Sequence, residues 1–80
     1  ELSPDYSIME LRVLNEWNGK TLKELKLRSN YGINIMAIKR GDDIDISPKA
    51  EDILSEDDII VAIGSTDDLS NLEEILIRKK

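Results

Sequence analysis

The chain has 80 residues, 17 acidic and 11 basic, for a net charge of −6. Such a length suits one small domain that buries about 60 to 65% of its unfolded surface. It has neither cysteine nor histidine, which excludes disulfides, thiol chemistry and imidazole catalysis, while the acidic balance argues against nucleic-acid partners.

The leading ELSPDYS, with its proline and polar residues, reads as a linker or a turn. Ser7 to Leu14 alternates, with Met9, Leu11 and Val13 on one face and Glu10 and Arg12 opposite, which predicts a half-buried strand. NEWNGK is a turn, with Gly19 as its positive-φ residue. Thr21 and Glu24 form a capping box at the start of a short helix. Leu22 and Leu25 lie on its apolar face, and Gly32 ends the unit.

Ile33 to Arg40 is the second strand. Strict alternation puts Ile33, Ile35, Ala37 and Lys39 on one face and Asn34, Met36, Ile38 and Arg40 on the other. Both faces are largely apolar, as in an inner strand. GDD turns the chain into a hairpin partner, Ile44 to Ser47. A polar connection carrying Ile53 and Leu54 leads to Ile59 to Gly64, the most apolar strand and the expected sheet centre. Ser65 to Asp68 reads as a second capping box. Leu69, Leu72, Ile75 and Leu76 then mark the buried stripe of a helix. The order β-α-β-β-β-α predicts an α+β two-layer sandwich with helices covering a small sheet.

No apolar run reaches the roughly 20 residues of a bilayer span, so direct membrane insertion is not expected. The chain begins at Glu1 and reads as a piece of a longer protein, and so thin a core favours pairing as a homodimer. The acidic clusters at 41–45 and 55–58 lack the spacing of a calcium loop and read as turn chemistry. A carboxylate cation sensor at Asp42 and Asp43 is the alternative. No nucleophile or oxyanion hole accompanies the carboxylates, and the four glycines fit neither G-x-G-x-x-G nor a P-loop.

Arg28, Lys39 and Arg40 flank the second strand. They are either solvated ends or the rim of an apolar-floored pocket that receives an anion. Arg28 either complements a helix dipole or holds a phosphate with its fork of donors. Asn34 either reads an adenine edge or satisfies a turn, and Pro48 ends a strand. Trp17 is expected to anchor a satellite of the core.

In this order and spacing, GKTL at 19–22, LRxxYG at 27–32, AIKR at 37–40, SP at 47–48 and DDIIVxIG at 57–64 are fairly specific. They closely resemble the C-terminal domain of RCK proteins, the TrkA-C or RCK_C domain, from about Tyr6 to Leu72. That resemblance implies the regulatory end of a cytoplasmic gating subunit, peripheral at the inner face of the membrane. It implies pairing as a homodimer, and a potassium transporter reached through a separate N-terminal RCK domain. Residues 1–80 would be one RCK_C regulatory domain, with 1–5 as linker and 77–80 as a solvated tail.

In Ktr-type systems the domain binds cyclic di-AMP at its dimer interface, which lowers potassium uptake. Carried onto this chain, Arg28 matches a phosphate-contacting arginine, and Asn34 and Ile35 match positions that contact adenine. Leu22 and Pro48 match apolar wall positions. Lys26 stands where some relatives carry an acid, and it either adds positive potential or is solvated. No cofactor and no catalysis are implied beyond cyclic di-AMP as regulatory ligand. An assembly module without a small ligand, or a cation-sensing module, is the alternative.

Overall fold

Alternation of Met9 and Leu11 against Glu10 and Arg12 makes β1 (Tyr6–Arg12) a half-buried strand. The computed structural model describes residues 3–78. Glu1, Leu2, Lys79 and Lys80, the outer parts of the expected linker and tail, lie outside the described residues. Pro4 and Asp5 are tied down, because their carbonyls accept from the Thr66 hydroxyl (3.1 Å) and the Thr66 N–H (2.8 Å).

The other strands are β2 (Ile33–Arg40), β3 (Asp43–Asp45) and β4 (Ile59–Ser65). They form one antiparallel sheet in the order β1-β4-β2-β3, so β4 lies inside the sheet, as its apolar run requires. β3 is shorter than the expected 44–47, because Asp45 Oδ1 accepts from the Ser47 N–H (2.9 Å) and turns the chain off the sheet. The helices are α1 (Leu22–Leu25), α2 (Leu27–Tyr31) and α3 (Thr66–Arg78).

One cluster joins the layers. Leu11, Ile33, Ile38, Ile60 and Ala62 from the sheet meet Leu25 and Leu27 from the short helices and Leu69 and Leu72 from α3. Each leucine and isoleucine of the cluster contributes about 1.5–3 kcal/mol by leaving water. Trp17, expected in a satellite, sits instead in this cluster at 1% exposure. Its ring meets Tyr31 edge-on at 5.1 Å, and its Nε1–H donates to the Tyr31 hydroxyl (3.3 Å). An indole is too large for a loop satellite in so short a chain, and the core closes around it.

The strict alternation expected for β2 does not hold. Ile35 pairs with Ala62 and Ala37 with Val61, which leaves Met36 as the extra residue of a bulge. A bulge carries every later side chain to the other face. Ile38 therefore joins Ile33 in the core at 1% exposure, and Met36 turns out to solvent.

The first capping box is complete, and the second is present in its forward bond. Thr21 Oγ1 accepts from the Glu24 N–H (3.1 Å), and Glu24 Oε1 accepts from the Thr21 N–H (3.0 Å). Ser65 Oγ accepts from the Asp68 N–H (3.0 Å) at the start of α3. Thr21→Ala is expected to cost about 1 kcal/mol by removing a helix cap, seen as a lowered thermal midpoint. The bonds to the Thr21 backbone and hydroxyl hold the Glu24 carboxyl below the ordinary value of 4.5. Its folded pKa is depressed, so its contribution is present above the ordinary value and is lost as pH falls through the folded one. The thermal midpoint of the wild-type chain should therefore fall more steeply with acid than that of Glu24→Gln.

Candidate functional site

The unit expected as a single short helix is broken at Lys26, which has φ 46 and ψ 54. The Lys26 N–H closes α1 on the Leu22 carbonyl (3.2 Å), and its own carbonyl accepts from the Asn30 N–H (2.8 Å) to open α2. The Asn30 side chain donates to the Leu25 carbonyl (2.9 Å) across the break. Among the described residues Lys26 is the one non-glycine residue with positive φ. Glycine would adopt that conformation about 1 kcal/mol more cheaply. Such strain concentrates at functional positions, and here it is borne by a residue with a long cationic side chain.

Gly32 ends α2 with φ 73, its N–H reaching the Arg28 and Leu27 carbonyls. The Asp68 carboxylate packs where a Cβ would stand and would have to swing aside, so the positive φ is the firmer demand for glycine. The chain passes directly into β2, which sets Arg28 beside the start of that strand. The Trp17–Tyr31 contact fixes the far end of α2 on the core.

The opposite wall comes from the connection after β3. The Leu22 and Lys23 N–H groups donate to the carbonyls of Asp52 (3.0 Å) and Ala50 (2.9 Å), and Thr21 bridges to Ile53. These bonds give the first helical N–H groups partners they would otherwise lack. They also lay Pro48, Lys49 and Ala50 along α1.

Between these walls runs a groove of about 350 Å³. Leu22, Lys26, Arg28, Asn34, Ile35 and Pro48 all line it, although they come from α1, the helix break, α2, β2 and the long connection. Its floor is apolar, with Leu27 and Ile33 buried beneath half-buried Leu22, Ile35 and Pro48. Its rim carries Lys23, Lys26, Arg28 and Lys49, and no Asp or Glu among the described residues lines it. β3 pairs with β2 only at Ile38–Arg40. Ile33 to Met36 therefore present an open backbone edge beside the groove.

Of the three cations flanking β2, only Arg28 reaches the groove. Lys39 Nζ pairs with Glu10 (3.3 Å), and Arg40 Nε binds the Asp58 carboxylate (3.1 Å). Lys23, Lys49 and Asp58 were not expected to matter. The first two follow motif residues Leu22 and Pro48 and could have been found by pairing those two walls. Asp58, the buried charged residue of the acidic run, stands inside the DDIIVxIG motif, which could have marked it. No group of three or more His, Cys, Asp or Glu side chains among the described residues is placed to hold a metal, and Asp42 and Asp43 are exposed. No helix among the described residues is long and apolar enough to cross a membrane.

The profile of the TrkA-C domain matches residues 8–77. The chain belongs to the TrkA-C domain family. It is 40% identical, over its full 80 residues, to Ktr system potassium uptake protein C of Bacillus subtilis (strain 168). Over 73 residues, 91% of the chain, it is also 40% identical to Ktr system potassium uptake protein A of the same organism. The TrkA-C chain spans about a third of those proteins, 36% and 33% of their lengths. Among solved structures it resembles the RCK C domain of potassium transport protein KtrA in complex with cyclic diadenosine monophosphate. The TM-score is 0.78 at 40% identity, over 86% of this chain and 81% of that one. The α+β sandwich expected from the sequence is thus the TrkA-C fold.

Proposed function

We propose that this TrkA-C chain is the non-enzymatic regulatory part of a cytoplasmic potassium-uptake gating subunit. It binds cyclic di-AMP between two copies of itself and thereby inhibits transport. The observation that carries this reading is the groove, where six positions from separate segments meet on an apolar floor under a cationic rim. The likeness to the KtrA domain in complex with the same dinucleotide supports it.

The chemistry follows from the lining. Leu22, Ile35 and Pro48 offer adenine an apolar seat, and the Asn34 amide and the open backbone of β2 meet its polar edge. The Arg28 fork takes a phosphate oxygen pair, and Lys26 adds charge beside it. A two-fold ligand suits a two-fold interface that presents each contact twice, and the open edge of β2 lies where a second copy can approach. The signal then passes through an N-terminal RCK domain to the membrane transporter.

Calorimetric titration with cyclic di-AMP, with cyclic di-GMP and ATP as competitors, tests this. Selective binding near one ligand per two chains is expected, with a thermal midpoint that rises with ligand. A stable dimer that gives neither heat nor thermal shift would leave an assembly module without a small ligand.

A further inference from the structure

A cyclic dinucleotide on a two-fold axis brings one phosphate charge to each groove. Each groove meets it with four cations, Lys23, Lys26, Arg28 and Lys49, and no carboxylate among the described residues. None of the four side chains makes an ion pair or hydrogen bond with a described residue; Arg12 and Lys20, outside the groove, have no ion pair among the described residues either, so what sets the four apart is their gathering in one groove. In a chain of net charge −6, a groove lined by four cations and, among the described residues, no acid is a local excess of positive charge. Two of them exceed what holding one phosphate requires.

Lys23 and Lys49 are held near each other by the backbone. The Lys23 N–H donates to the carbonyl of Ala50, next to Lys49 (2.9 Å). Of the two acids in that turn, Asp52 commits a carboxylate oxygen to the Lys49 backbone N–H (2.9 Å), and Glu51 does not line the groove. Both lysines are exposed, so the core does not account for them.

We propose that Lys23 and Lys49 form an outer anion-steering pair of the cyclic di-AMP site, drawing the phosphates toward Arg28 and Lys26 without holding them. The inference rests on the cyclic di-AMP reading above. Rim charges of this kind act on association and fade with salt, because attraction across water is screened within about 10 Å at 0.1 M.

The test compares two double variants of equal net charge, Lys23→Gln/Lys49→Gln in the groove and Arg12→Gln/Lys20→Gln away from it. Association and dissociation rates for cyclic di-AMP are measured by stopped flow at low and high salt. At about 50 mM salt the groove variant should associate about tenfold more slowly than wild type, with dissociation changed less than about twofold. The gap should close at about 0.5 M, and the control should stay within about twofold throughout. Equal slowing in both variants, or none in the groove variant, overturns the steering pair.

Inorganic pyrophosphate, followed by backbone amide shifts, reads the rim without the adenine seat. If wild type ignores cyclic di-AMP but pyrophosphate moves the amides of Lys23 and Lys49, the ligand reading fails and the anion rim stands. Silence toward both anions overturns the rim as well.

Discussion

Replacing Arg28 with alanine is expected to weaken cyclic di-AMP binding about a hundredfold or more, with the fold and the pairing of copies intact. A hydrogen bond to a charged group contributes about 1.5–3 kcal/mol, and a two-fold ligand meets the arginine twice. Even a single such loss, at about 1.4 kcal/mol per factor of ten, approaches a hundredfold. The same change is nearly silent for folding. Arg28 is exposed and has no side-chain partner among the described residues. Its interaction with the end of α2 is worth only a few tenths of a kcal/mol. Arg28→Lys should fall between the two, since it keeps the charge but loses the planar fork. Calorimetry for the ligand and sedimentation for the dimer separate these effects. An alanine variant that binds like wild type removes Arg28 from the site.

The element order was legible because each strand and helix carries its own period. Met9 and Leu11 mark β1, the unbroken run from Ile59 marks β4, and Leu69, Leu72, Ile75 and Leu76 mark α3. Two features broke that legibility, and both are backbone irregularities with no side-chain signature. The bulge at Met36 moved Ile38 into the core, and the left-handed Lys26 split one helix into two. An isoleucine fits either face of a strand, and a lysine gives no hint of positive φ.

The residues alone left the anion pocket as one of two readings, and its full set of positions came only through family resemblance. Its six positions are spread over segments that no local period connects, and the bonds joining Leu22 and Lys23 to the 50–52 backbone are invisible in residue types. The three cations around β2 illustrate the limit. Their charge was evident, but which of them had a buried acid to answer it was a matter of tertiary contact.

Asp58→Ala should destabilise the fold by about 2–3 kcal/mol by unfastening the wall of the groove. The residue is 3% exposed. Its two carboxylate oxygens accept from Arg40 Nε at 3.1 Å, and one also accepts from the Ser55 N–H at 2.9 Å. Arg40 reaches on to the Ile53 carbonyl (2.5 Å). This network fastens the end of β2 to the connection that supplies Ile53, Asp52 and, further back, Pro48 and Lys49. Breaking a buried pair costs about 3–5 kcal/mol when the remaining charge is stranded. Here the cost is lower, because the Arg40 side chain is 46% exposed and water recovers it.

Arg40→Ala leaves the harder remnant, a buried carboxylate with only the Ser55 N–H among the described residues to satisfy it. It should cost at least as much as Asp58→Ala. The double variant should then cost less than the sum of the two singles, which is the signature of a coupled pair. At about 4–8 °C per kcal/mol for a chain of this size, Asp58→Ala lowers the thermal midpoint by roughly 10–20 °C. Singles that add would show that the two side chains stabilise the wall independently. The coupling also reaches the ligand, since a loosened connection lets Pro48 and Lys49 drift from α1. Asp58→Ala should therefore weaken cyclic di-AMP severalfold without touching it, and Asp58→Asn, which keeps an acceptor for Ser55, should recover part of both losses.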